Sequence, residues 1–239
     1  MVMSKGSDEQ SILSQELLLN VAEGLKLPLL QIARQAENVE LGGTGSVRNI
    51  RTTAESALRL LDNYALGVRL QMESAQLDLE AVSVSSILYD TGQQLDTVAK
   101  SYGVGLELHI AGRYGTVMAH RRGLQAALAS LGAALIEALP AQETPQLKLQ
   151  LATHRSRYGI VAGLYSDTPG LTSTALRHGR RLQRQSRQPL VGLTHTSGAG
   201  VFVADAILEA MQLRLHASRH NRLHGLGTVL PPNNQMQLV

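Results

Sequence analysis

The sequence predicts an α+β fold in two parts. Residues 1–76 form a two-helix hairpin that joins a second copy in a four-helix bundle, and residues 77–239 form an α/β sandwich. Three observations support this division. Up to about Met72 the apolar residues recur only at helical spacing, whereas beyond Gln76 short alternating runs and helical runs are interleaved. Charge divides in the same way: residues 1–120 hold 9 Lys/Arg against 14 Asp/Glu, and residues 121–239 hold 13 against 5. A 44% apolar content with one Phe and no Trp describes an aliphatic, Leu/Ala-rich core.

The first helix carries Ile12, Leu13, Leu17, Val21, Leu25 and Leu29 and continues through Ile32 to about Val39. Pro28 interrupts it, where a proline removes a backbone hydrogen bond and costs roughly 3 kcal/mol. The glycines of LGGTGS (41–46) end this helix, and Ser46 is placed to cap the next. The second helix runs to about Met72, with Ile50, Ala54, Ala57, Leu58, Leu61, Ala65 and Val68 on one stripe. Two such helices cannot cover each other's apolar arcs, so Leu58, Leu61 and Ala65 are expected at a homodimer interface.

Past VSVSSIL (82–88) a helix is expected from about Ile87 to Tyr102, then strand-like runs at 104–110 and 114–120. A helix from about Arg122 to Leu139 follows, and QLKLQLATH (146–154) with YGIVAGLYS (158–166) alternates like a hairpin. A last helix is expected over about Gly200 to Met211, followed by strands in LRLHASRH and in a terminal run ending QMQLV. Strands and helices mixed in this way predict helices on one face of a mixed sheet.

The chain has no Cys, which removes disulfides, thiolate catalysis and sulfur-ligated zinc and fits a reducing cytoplasm. Its polar start, MVMSKGSDEQ, is unlike a signal peptide, and no apolar run approaches a membrane span. A cytoplasmic protein with no membrane segment of its own is the expectation.

The hairpin followed by SALRLLDNYALGVRLQMESAQLDLEAVSVSSIL (56–88) resembles the cytoplasmic core of sensor histidine kinases, from about Leu13 to Pro231. The plan is also similar to that of soluble histidine phosphotransferases, whose ATP domain is degenerate. In the kinases the phosphate-accepting His lies five residues before a proline like Pro28. Here that position holds Glu23, and no His precedes His109. The resemblance thus accounts for the proline and implies that the phosphoacceptor is lost, since a carboxylate would give only an unstable acyl phosphate.

The resemblance places an N-box in LQAALASLGAALIEALP (124–140), where an Asn would hold magnesium; Ala133 and Ala134 stand there instead. Magnesium needs near-octahedral oxygen ligands, and Glu137, one turn on, reads as a solvated carboxylate. For the first glycine box, SDTPGL (166–171) offers Asp167, which would contact adenine, and Gly170; the tetrapeptide also reads as an ordinary turn. For the second, Gly198 and Gly200 in SGAGVFVADAI (197–207) would present backbone N–H groups to phosphate at a helix start, though capping and close packing explain them equally well. HGLGTVLP (224–231) resembles the family's late strand.

The stretch 174–190 corresponds to the mobile ATP lid. Its Arg177, Arg180, Arg184 and Arg187 would share one helical face and bind an anion or an acidic partner surface, or simply be solvated. Nucleic acid is a weaker reading, because aromatic stacking residues are absent from the stretch. His216, His220 and His224 are four apart but alternate in a strand-like run, so a metal site is not expected.

Together these features predict a catalytically defective, dimeric signalling protein that acts as a scaffold or regulator on a response regulator or other signalling partner. No cofactor or metal is expected, although ATP or ADP would be held without the usual magnesium site. The alternatives are a divergent ATP-binding kinase or phosphotransferase of a two-component pathway, and nucleic-acid binding through the basic lid.

Overall fold

A computed structural model describes Ala22, Leu25, Lys26, Gly112, Leu176 and residues 28–42, 47–72, 77–110, 114–138, 148–166 and 195–233. Helix α1 covers residues 28–40, and Ala22, Leu25 and Lys26 ahead of Pro28 are helical as well. The helix ends where Gly42 takes φ +74° and its N–H returns to the Val39 carbonyl at 3.1 Å. That left-handed terminus suits a residue without a Cβ. Helix α2 spans Val47–Met72.

Strand β1 (Glu80–Val82) leads directly into α3 (Val84–Ser101). The alternation in VSVSSI covers the end of β1 and a helix cap: the Ser83 hydroxyl accepts from the Ser86 N–H at 3.4 Å, which starts the helix three residues earlier than its apolar spacing suggests. Strands β2 (Gly105–His109) and β3 (Val117–Ala119) precede helix α4 (Arg121–Ala138). The hairpin of β4 (Lys148–Ser156) and β5 (Gly159–Ser166) forms as its alternation predicts. Helix α5 (His195–Ala210) is followed by β6 (Leu215–His220) and β7 (Leu223–Leu230). Asn221 and Arg222, both at positive φ, make the two-residue turn between them. The terminal run ending QMQLV lies outside the described residues, and β7 comes from the HGLGTVLP stretch.

The main sheet has the order β2-β4-β5-β7-β6. Its β2–β4 pair is parallel and the rest antiparallel, while β1 and β3 form a separate antiparallel pair. Helices α3, α4 and α5 join one face of the sheet in a single core, with Ile87, Leu88, Leu124, Leu135, Leu151, Leu164 and Phe202 all buried. Glycine and alanine let these helices approach closely. A Cβ at Gly200 would lie 2.8 Å from the Ser130 carbonyl oxygen and 3.0 Å from the Ala134 methyl, so α5 can cross α4 only where no side chain intervenes. On the other face Tyr165, fully buried, lies across Gly163 and Gly225, and its hydroxyl is 3.2 Å from that of Ser218. This is the predicted α+β fold.

Helix α2 presents three faces. Ala57, Leu60, Tyr64, Gly67 and Leu70 pack onto the α/β module. A Cβ at Gly67 would meet Ile207 of α5 at 3.1 Å. Leu58 and Leu61 are instead 59% and 40% exposed, and Ala65 is exposed beside them. Ala57, grouped by its spacing with Leu58 and Leu61, thus belongs to a different face. Among the described residues no helix is long and apolar enough to cross a membrane.

Candidate functional site

The third face of α2 is polar. Thr52, Ser56, Arg59 and Asn63 fall at intervals of four, three and four, which places them in one row along a helix. This row faces a cavity of about 380 Å³ lined by α1, α2, α3, α4 and the second turn of α5. Pro28 lines it from α1.

Helix α2 is tied to α4 across the cavity by Asn63, whose Nδ2 donates to the Ser130 hydroxyl at 2.8 Å. Next along the same face of α4, Ala133 and Ala134 present methyl groups to the cavity, and Glu137 follows one turn on. Glu137 is not the solvated carboxylate its sequence context suggests. It is half-buried, and burial pushes its carboxyl up from the usual 4.5 to about 7. Tyr102, which ends α3 on the same cavity, has its hydroxyl pushed up to about 12 by burial and, secondarily, by the Glu137 charge.

Two polar atoms on this cavity are buried without a hydrogen-bond partner among the described residues, Arg59 Nη2 and Gln35 Oε1. Neither residue was singled out from the sequence. The signal that would have found Arg59 is the helical spacing of Thr52, Ser56, Arg59 and Asn63, which puts four polar side chains in one row along α2.

Of the residues proposed from sequence for the second glycine box, both lie in α5. That helix starts at His195, earlier than expected, so Gly200 sits in its second turn. Only the first four N–H groups of a helix lack an internal partner; Gly200 lies beyond them and acts here by close packing, while also lining the cavity. Glu23, Asp167, Gly170, Arg177, Arg180, Arg184 and Arg187 lie outside the described residues. Ala134 has no oxygen to give, and the Ser130 hydroxyl is engaged by Asn63.

On the opposite face of the sheet, His109, His154, His220 and Tyr165 gather. The His154 and His220 rings stack with centroids 5.3 Å apart, and His109 meets His220 edge-on at 5.9 Å. Burial lowers the pKa of His154 and of His220, the latter also through the two neighbouring imidazoles. His224 pairs across the sheet with Arg219, whereas His220 pairs with Leu223. The pleat therefore sends His220 and His224 to opposite faces, and the four-residue spacing in the sequence does not gather them. Among the described residues no group of three His, Asp or Glu side chains is arranged to hold a metal ion.

No protein-family model and no curated protein matches the chain. Solved structures do. The Acinetobacter baumannii histidine kinase AdeS superposes with a TM-score of 0.51 at 13% identity, over 88% of this chain and 98% of that one. Full-length ShkA in complex with AMPPNP superposes with a TM-score of 0.52 at 16% identity, over 95% of this chain and 46% of that one. The chain thus has the fold of a sensor-histidine-kinase core, at a sequence distance where fold is all that the likeness carries.

Proposed function

We propose that this chain is a histidine-kinase-like signalling protein that no longer transfers phosphate and works as a homodimer, binding a response regulator or another signalling protein. The observation that carries this reading is the α4 face of the cavity. Where magnesium needs oxygen ligands, the helix offers the methyls of Ala133 and Ala134, and its nearest hydroxyl, on Ser130, is held by Asn63 of the hairpin. Glu23 in place of a phosphoacceptor His adds a second, independent loss. What remains is the architecture: an α/β module docked on a hairpin that still carries an uncovered apolar face.

Homodimerisation is supported by that face. Leu58 and Leu61 on α2 and Leu29 and Leu30 on α1, the last two 58% and 56% exposed, leave apolar side chains in water. Wide apolar patches are rare on monomers and mark contact sites, and a two-fold pairing of hairpins would cover this one.

The test of silence is direct. Incubated with γ-labelled ATP and Mg²⁺, the purified chain acquires no acid-labile phosphate, and Glu23→His alone does not restore labelling because Ala134 still provides no ligand. Label on any histidine above background contradicts the proposal.

A further inference from the structure

We infer that the cavity between the hairpin and the α/β module binds a small oxyanion-bearing molecule, a carboxylate or a phosphate, whose anionic group is held by Arg59. This goes beyond the proposed function and stands whether or not the chain phosphorylates itself, because Arg59 and the row it belongs to lie on the hairpin.

Four observations support it. First, the space is closed on one side by α1 and α2 and on the other by α3, α4 and α5, and at about 380 Å³ it falls at the small end of ligand-sized pockets. Second, Arg59 Nη2 is buried with no hydrogen-bond partner among the described residues. An unpaired buried donor is costly, more so on a charged group, and guanidinium forks match carboxylate and phosphate oxygens in geometry. Third, Gln35 Oε1, also buried and without a partner, lines the same space and would accept from a hydroxyl or amine on the body of the ligand. Fourth, among the described residues no carboxylate is paired with Arg59, and the one acidic side chain on the cavity is Glu137.

Among the described residues the charged and titratable groups facing the cavity are Arg59 from α2, Tyr102 at the end of α3 and Glu137 from α4, while Pro28, Gln31, Gln35 and Gly200, which line it from α1 and α5, carry no charge. A bound anion would be opposed by an ionised Glu137 and tolerated by a protonated one. Binding should therefore tighten as pH falls through about 7, where that carboxyl titrates. Because the ligand would touch both α2 and α4, it would fasten the hairpin to the module, a means by which a small molecule could change what the dimer presents to a partner.

The full-length chain is titrated calorimetrically with inorganic phosphate and, separately, with succinate, in a buffer free of both. At least one should bind saturably with a Kd below about 1 mM. Phosphate alone, succinate alone or both would then assign the source of the oxyanion. Arg59→Gln should weaken that binding at least about tenfold, the loss of a charge-assisted contact, while Arg69→Gln, an exposed arginine on the same helix, should leave it unchanged. Should Arg59→Gln fail to fold by circular dichroism, Ser56→Glu serves instead. It places a carboxylate one turn from Arg59, on the same cavity, and should abolish binding while keeping the fold. No saturable binding by either probe, binding that survives both substitutions, or binding lost equally in Arg69→Gln overturns the inference.

Discussion

Helices α2 and α4 are both long, aliphatic and rich in alanine and leucine, yet the chain treats them differently. In α4, 12 of 18 residues are buried, because α3, α5 and the sheet surround it. In α2, with 26 residues, only Ala57, Gly67 and Leu70 are buried among those described. The contrast shows what each helix is for. Helix α4 is finished within its own chain, and its alanines and Gly132 are there to let neighbours approach. Helix α2 divides its surface into a docking face, a polar cavity face and an apolar face, with Leu58 and Leu61, that no described residue buries.

If α4 lies at the centre of a finished core, damage beside it should unfold the module. Phe202 is fully buried between α5 and the rest of that core. Phe202→Ala should cost about 3–5 kcal/mol, read as a lowered urea midpoint. A smaller loss would mean the module is less complete than its burial indicates.

The cavity side of α4 should respond to pH in a way the core does not. Glu137 titrates near 7 folded and near 4.5 unfolded, so the folded state prefers its protonated form. Its contribution is fully present below the unfolded value and is lost as pH rises through about 7. At 1.36 kcal/mol per pKa unit the loss is at most about 3 kcal/mol, and less where solvent reaches the group. Glu137→Gln should therefore match the original chain below about pH 4 and exceed it in stability above about pH 8. Equal stability of the two at every pH would place the carboxyl in solvent.

Much of this was legible from sequence. The β4–β5 hairpin could be read because QLKLQLATH alternates and Gly159, at φ +147° and paired with Ser156, closes a two-residue turn. The end of α1 could be read because Gly42 supplies the left-handed terminus. The start of α5 could be read only in part: Gly198 and Gly200 suggest a helix opening near Gly200, whereas it begins at His195 and Gly200 sits inside it at the crossing of α4. The ionisation of Glu137 was equally hidden, since it depends on burial that α1 and α2 complete from far away in the chain. The same holds for the His154–His220 stack, whose members come from β4 and β6, with β5 and β7 between them in the sheet.

The claim on which the account turns is that the bare face of α2 pairs with a second copy. Static light scattering at micromolar concentration tests it. The chain should elute with a mass near twice 25.7 kDa. The double substitution Leu58→Glu, Leu61→Glu should give a folded monomer, since two carboxylates buried without partners at that contact would cost several kcal/mol and both positions are exposed within the single chain. A monomeric original chain, or a dimer that survives both substitutions, would contradict the account.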